Sequence, residues 1–131
     1  MTGRLTVTKR DPAELPASVG APKIVDQPWG REVWYAHTGR YAGKVLEVDK
    51  GHVLSLQKHE VKHETLYLHA GRMSFRLGDT TFEWLPGQVV TIPPGTIHRM
   101  EALVDSSILE VSTPELDDVV RLEDRYGRVG T

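Results

Sequence analysis

Hydrophobic and polar residues alternate with a period of two through most of residues 32–112, and no stretch there settles into a helical period. Successive side chains on a strand face opposite ways, so this pattern predicts short strands with one buried face. After the turn signal Pro28-Trp29-Gly30, strands are expected at 32–36 and, past His37-Thr38-Gly39, at 41–48. Residues 53–59 alternate next, with Val53, Ser55, Gln57 and His59 on one face. Further strands are expected at 65–69 and 73–77, then at 80–85 beyond the hairpin signal Gly78-Asp79. Pro86-Gly87 and Pro93-Pro94-Gly95 delimit 88–92, and strands at 97–101 and 107–112 complete the set. Many short strands punctuated by Gly and Pro predict an all-β sandwich or barrel.

The two ends read differently. Residues 1–22 are rich in Pro, Ala and small polar residues, and predict a flexible or partner-packing arm with room for a short strand at 5–8. Residues 23–131 are expected to form one domain, closed by a tail that is irregular or holds one helical turn at 114–119. The mixed charges of that tail are expected to be solvated.

Composition narrows the chemistry. The chain has no cysteine, which excludes disulfides, thiolate catalysis and Cys-based zinc sites. Any metal must be held by nitrogen and oxygen donors. A formal charge of -2 with no long block of either sign makes nucleic-acid binding a poor expectation. No apolar segment suggests a signal sequence or membrane span, so a cytoplasmic location is expected.

The stretch QKHEVKHE places Gln57, His59 and Glu64 close in sequence, and His98 follows a second alternating run. Together they describe a divalent metal site that closes once the chain folds back on itself. On a strand Gln57 and His59 share a face, and if Glu64 begins the next strand, Leu66 and Leu68 share its face. Burying such donors without partners is costly, and a shared cation removes the penalty. His63 lies beside Glu64 with the opposite parity, which turns it away.

Residues 51–71 resemble the first cupin motif and residues 87–98 the second, where Gly87, Pro93, Gly95 and His98 fit the spacing without adjustment. Gln57 stands where the first motif has its first His. The segment SLQKHEVKHETLYL is similar to that of the cupin-type mannose-6-phosphate isomerases and of the isomerase domain in mannose-1-phosphate guanylyltransferases. PWG at Pro28 and VVRLEDRYGR at 119–128 extend the likeness. The resemblance implies a single-domain cupin jelly roll and a small-molecule substrate of the sugar or sugar-phosphate class. It implies one divalent metal per chain, zinc first, with iron, manganese, nickel or cobalt as alternatives and Gln57 as an accepted ligand. It also implies a homodimer. Two departures stand out: Lys62 replaces the family's Arg before the Glu, and Leu66 replaces its aromatic.

In an aldose–ketose isomerisation of enediolate type, a base must move a proton between adjacent carbons. Glu110 is the candidate, on a late strand where a charge is out of place in a core. Lys44, Arg99 and Arg121 are candidates for clamping a phosphate or carboxylate, with Lys62 and Tyr126 as further pocket residues. Tyr126 has an alternative role in locking down the tail. Beside the isomerase stand two other readings. One is another metal-dependent cupin enzyme (a dioxygenase, decarboxylase or biosynthetic tailoring enzyme); the other is a sugar-binding module without turnover.

Overall fold

The computed structural model describes residues 16–130. The strand expected at 5–8 and most of the N-terminal arm lie outside the described residues, and 16–22 are exposed without regular structure. Eleven strands follow: β1 (Lys23–Gln27), β2 (Gly30–His37), β3 (Ala42–Val48), β4 (Leu56–Lys58), β5 (Glu64–Ala70), β6 (Met73–Leu77), β7 (Thr80–Trp84), β8 (Val89–Ile92), β9 (His98–Ala102), β10 (Ser106–Ser112) and β11 (Val120–Glu123). They form two antiparallel sheets, a six-stranded one in the order β1-β2-β3-β10-β5-β8 and a five-stranded one in the order β11-β4-β9-β6-β7. The all-β sandwich is thus the expected one.

The inward faces of both sheets supply the core. Leu46, Leu68 and Ile108 from the larger sheet meet Met73, Phe75 and Trp84 from the smaller, all buried. Phe75 packs edge-on against Trp84 at 5.3 Å between ring centroids. Burying aromatic and aliphatic side chains of this size is the main stabilising contribution of such a core.

Several elements differ from the sequence reading. The alternating run at 53–59 is a strand only over Leu56–Lys58, with Val53 forming an isolated bridge to Glu101. A three-residue strand leaves Ser55 and His59 on irregular backbone, yet both remain buried. The tail has turns but no helical turn at 114–119. Instead it returns to the smaller sheet as β11, which pairs with β4. β1 was not expected either, and it extends the larger sheet by pairing with β2. Among the described residues no helix is long and apolar enough to cross a membrane.

Candidate metal centre

Four side chains from three strands and their ends converge on one end of the sandwich. Glu64 opens β5, His98 opens β9, Gln57 lies in β4 opposite His98, and His59 follows β4 directly. The turn before β9 depends on Gly95, whose φ of 83° is a backbone conformation that side-chain-bearing residues rarely adopt. The Gly95 amide also donates to the His59 carbonyl at 2.7 Å, joining the two histidine-bearing segments.

His59, Glu64 and His98 are buried, and their potential ligand atoms all lie within 4.8 Å of one another. Each histidine donates Nδ1–H to a backbone carbonyl, His59 to Asp118 at 2.6 Å and His98 to Thr96 at 3.0 Å. A carbonyl only accepts, so in the neutral imidazole the proton sits on Nδ1 and Nε2 is left with its lone pair. His59 Nε2 lies 2.7 Å and His98 Nε2 3.7 Å from Glu64 Oε2. Apart from each other, neither His59 Nε2 nor Glu64 Oε2 has a hydrogen-bond partner. Buried polar atoms left this way are costly, and a cation bound by these two atoms and His98 Nε2 removes that cost. The donor set therefore fits a single divalent metal.

Phe75 stacks on the His98 ring at 10° between planes, which helps to hold it in place. Burial pushes the His98 imidazole below its ordinary pKa, favouring the neutral form a metal requires. For Glu64, burial alone would raise the carboxyl. The His59 contact and the Lys62 charge outweigh it and lower the group to about 2, so it is a carboxylate at neutral pH.

Gln57 stands beside this set with its amide turned. Its Oε1 accepts from Ser55 Oγ at 2.6 Å, and its Nε2 lies 3.5 Å from His98 Nε2. For Gln57 to serve as an oxygen ligand, the amide must rotate.

A cavity of about 420 Å³ opens from the cluster, and a chain of buried charges runs along its wall. Lys62 Nζ lies 3.6 Å from Glu64 Oε1 and donates to Glu110 Oε2 at 3.2 Å. Lys44 Nζ lies 3.9 Å from the same Glu110 oxygen and donates to Glu32 at 2.6 Å. Glu32 also accepts from Trp34 Nε1 at 3.0 Å and Gln27 Nε2 at 2.6 Å. Complete burial raises the Glu110 carboxyl above its ordinary range despite Lys44 and Lys62. Lys62 behaves conversely: burial would lower it, but the charges of Glu110 and Glu64 outweigh burial and raise it.

Of the residues singled out in the sequence, Gln57, His59, Glu64, His98, Lys44, Lys62, Glu110 and Arg121 line this cavity. Arg99 and Tyr126 do not. Arg99 follows His98 on β9 and so faces the other side, where its Nε donates to the Leu54 carbonyl at 3.0 Å. The Tyr126 hydroxyl meets His52 Nδ1 at 2.5 Å, which ties the tail to the connection between β3 and β4. His63 is exposed, as its parity requires. The sequence reading missed Glu32, the partner of Lys44, and Asp118, which grips the segment between His59 and Glu64.

Comparison with known proteins agrees with this picture. Residues 18–124 match the family described as mannose-6-phosphate isomerase C-terminal. The chain is 33% identical over 109 residues to the alginate biosynthesis protein AlgA of Pseudomonas aeruginosa, covering 79% of this chain and 23% of that protein. It is 34% identical over 110 residues to the mannose-1-phosphate guanylyltransferase ManC of Salmonella typhimurium, covering 80% of this chain and 23% of that protein. The chain thus spans about a quarter of the length of these curated relatives. Among solved structures, KdgF from a Halomonas species superposes with a TM-score of 0.66 at 24% identity, covering 72% of this chain and 88% of that one. Oxalate decarboxylase from Bacillus subtilis superposes with a TM-score of 0.69 at 16% identity, covering 77% of this chain and 30% of that one; both show the shared fold. With the cupin sandwich, the motif residues and the family match in agreement, the chain belongs to the mannose-6-phosphate isomerase C-terminal family of cupin domains.

Proposed function

We propose that this domain is a metal-dependent enzyme acting on a small, oxygen-rich anion of the sugar-phosphate class, with Glu110 moving a proton on it. The observation that carries this reading is the buried meeting of His59 Nε2, His98 Nε2 and Glu64 Oε2, with neither His59 Nε2 nor Glu64 Oε2 hydrogen-bonded to any group outside the cluster. A divalent ion held there supplies Lewis-acid polarisation of substrate oxygens, and zinc is the first choice. The protein does the rest. Glu64 stays ionised, whereas burial holds the Glu110 carboxyl high, and two carboxylates pushed apart in this way suit separate ligand and acid–base roles. Lys62 and Lys44 fix Glu110 on the cavity wall. Arg121, across from Gln57 in the β4–β11 ladder, is the arm of the anion clamp.

One observation favours a second reading, a different metal-dependent cupin reaction such as oxygenation or decarboxylation. With the Gln57 oxygen turned toward Ser55, the donors aimed at the centre are two histidines and one carboxylate. That triad with open positions also suits non-haem iron.

Elemental analysis of untagged protein, with parallel assays of phosphosugar isomerisation and oxygen uptake, separates the two. The first reading expects about one zinc per chain and turnover without oxygen. Glu110→Gln should lower that turnover by about 10²- to 10⁴-fold, the range for a lost acid–base group, with metal content unchanged. Iron with oxygen consumption would establish the second. Metal content near zero, unaffected by His59→Ala, would end both.

A further inference from the structure

The segment between the two ligands supplied by the β4–β5 region is held from outside mainly by one carboxylate. Residues 60–62 present three successive backbone amides, and all three point at the Asp118 carboxylate. Oδ1 accepts from Glu60 at 3.0 Å, and Oδ2 accepts from Val61 at 2.7 Å and Lys62 at 2.8 Å. The Asp118 carbonyl accepts His59 Nδ1–H at 2.6 Å. A reciprocal pair lies one step along: His63 N donates to Thr113 Oγ1 at 2.9 Å, and Thr113 N donates to the His63 carbonyl at 3.0 Å. Every residue from His59 to His63 is thus tied to the tail segment 113–118, and the segment ends on Glu64.

We infer that Asp118 is the positioning residue of the metal centre, setting the distance and orientation between His59 and Glu64 by gripping the amides that connect them. This rests on the metal-dependent reading proposed above. Four residues separate the two ligands, and an unrestrained loop of that length samples many conformations that part them. A carboxylate cupped by consecutive amides is a charge-assisted arrangement that selects one of them. The same residue fixes the tautomer of His59 through its carbonyl, so loop geometry and ligand protonation are set from one point. Among partners that orient ligands, loss of one lowers metal affinity by about 10- to 100-fold. By reciprocity, metal loading strengthens the hold of the tail on the loop.

The test compares wild type, Asp118→Ala, Asp118→Asn and Asp105→Ala. Asp105 makes a comparable carboxylate–amide bond, accepting from Lys50 N at 2.8 Å, but that amide lies outside the segment joining His59 to Glu64. Zinc affinity is measured by competition with a chromophoric chelator, and the cobalt-substituted proteins are compared by their visible spectra. Asp118→Ala should bind zinc about 10- to 100-fold more weakly and show an altered cobalt spectrum. Asp118→Asn, which keeps one acceptor oxygen, should fall between it and wild type. Asp105→Ala should match wild type in both readouts. Wild-type zinc affinity and spectrum in Asp118→Ala would overturn the inference, even if its melting temperature fell, and would leave the metal reading intact. Failure of wild type itself to bind zinc or cobalt would overturn both. Should Asp118→Ala fail to fold, Asp118→Asn decides by the same criteria.

Discussion

The same strands do opposite things at their two ends. On the inward face of β3, Lys44 is followed by Leu46 and Val48; on β5, Glu64 is followed by Leu66 and Leu68. β10 runs the other way, so Ile108 lies beside Leu46 and Leu68, and Glu110 lies beside Lys44 and Leu66. One end of the sandwich is therefore a dry core and the other a cavity lined with buried charge. The apolar end stabilises the fold by removing surface from water. At the charged end, desolvation opposes burial of every ion, and only their mutual pairing makes the arrangement tolerable. Stability and chemistry are divided along the length of each strand.

The largest effect on folding is expected from unbalancing the charged end. Lys62 is 4% exposed and pairs with both Glu110 and Glu64. Lys62→Met in metal-free protein should cost about 3–5 kcal/mol in chemical denaturation, because it leaves buried carboxylates uncompensated. Adding Glu110→Leu should restore much of that loss while turnover stays absent. If the double variant were no more stable than Lys62→Met, the charged end would not carry the desolvation penalty argued here.

At the apolar end, Ile108→Ala is expected to cost about 2–5 kcal/mol, through lost transfer energy and the void left behind. Ile108 is fully buried, and its neighbours are held by strand pairing on both sides. Zinc affinity should be unchanged when measured well below the denaturation midpoint. A parallel loss of zinc affinity would show that the two ends are coupled rather than divided.

This division was partly legible in the sequence. Alternation placed Glu64, Leu66 and Leu68 on one face, and the structure buries all three. Parity alone was enough to turn His63 outward, and applied to His98 and Arg99 it would also have removed Arg99 from the pocket. β1 escaped notice because Lys23–Gln27 is a short edge strand flanked by prolines, with little apolar alternation. β11 was hidden because its charges read as a solvated tail. Asp118 was illegible for a different reason. A carboxylate that binds backbone amides needs no particular residue types at the amides, so residues 60–62 carry no mark of it.

The smallest effect is also the sharpest test of the charged end, since two of its carboxyls are shifted in opposite directions. Burial would raise Glu32, but the charge and hydrogen bond of Lys44, with those of Trp34 and Gln27, hold it below 4.5. Its contribution to stability is present above pH 4.5 and is lost as pH falls through the lower folded-state value. Glu110, raised by burial above 4.5, contributes in the opposite sense. Its protonated form is favoured in the folded protein, so that contribution is full below pH 4.5 and is lost as pH rises through the higher folded-state value. In metal-free protein, comparing the stability–pH curves of wild type and Glu110→Gln should therefore reveal a component in wild type that grows on acidification toward pH 4.5. The same comparison with Glu32→Gln should reveal one that shrinks on further acidification below 4.5. Difference curves of the same sign would mean that Lys44 does not distinguish its two carboxylate neighbours, and the assignment of Glu32 as its fixed partner and Glu110 as the proton-moving group would fall.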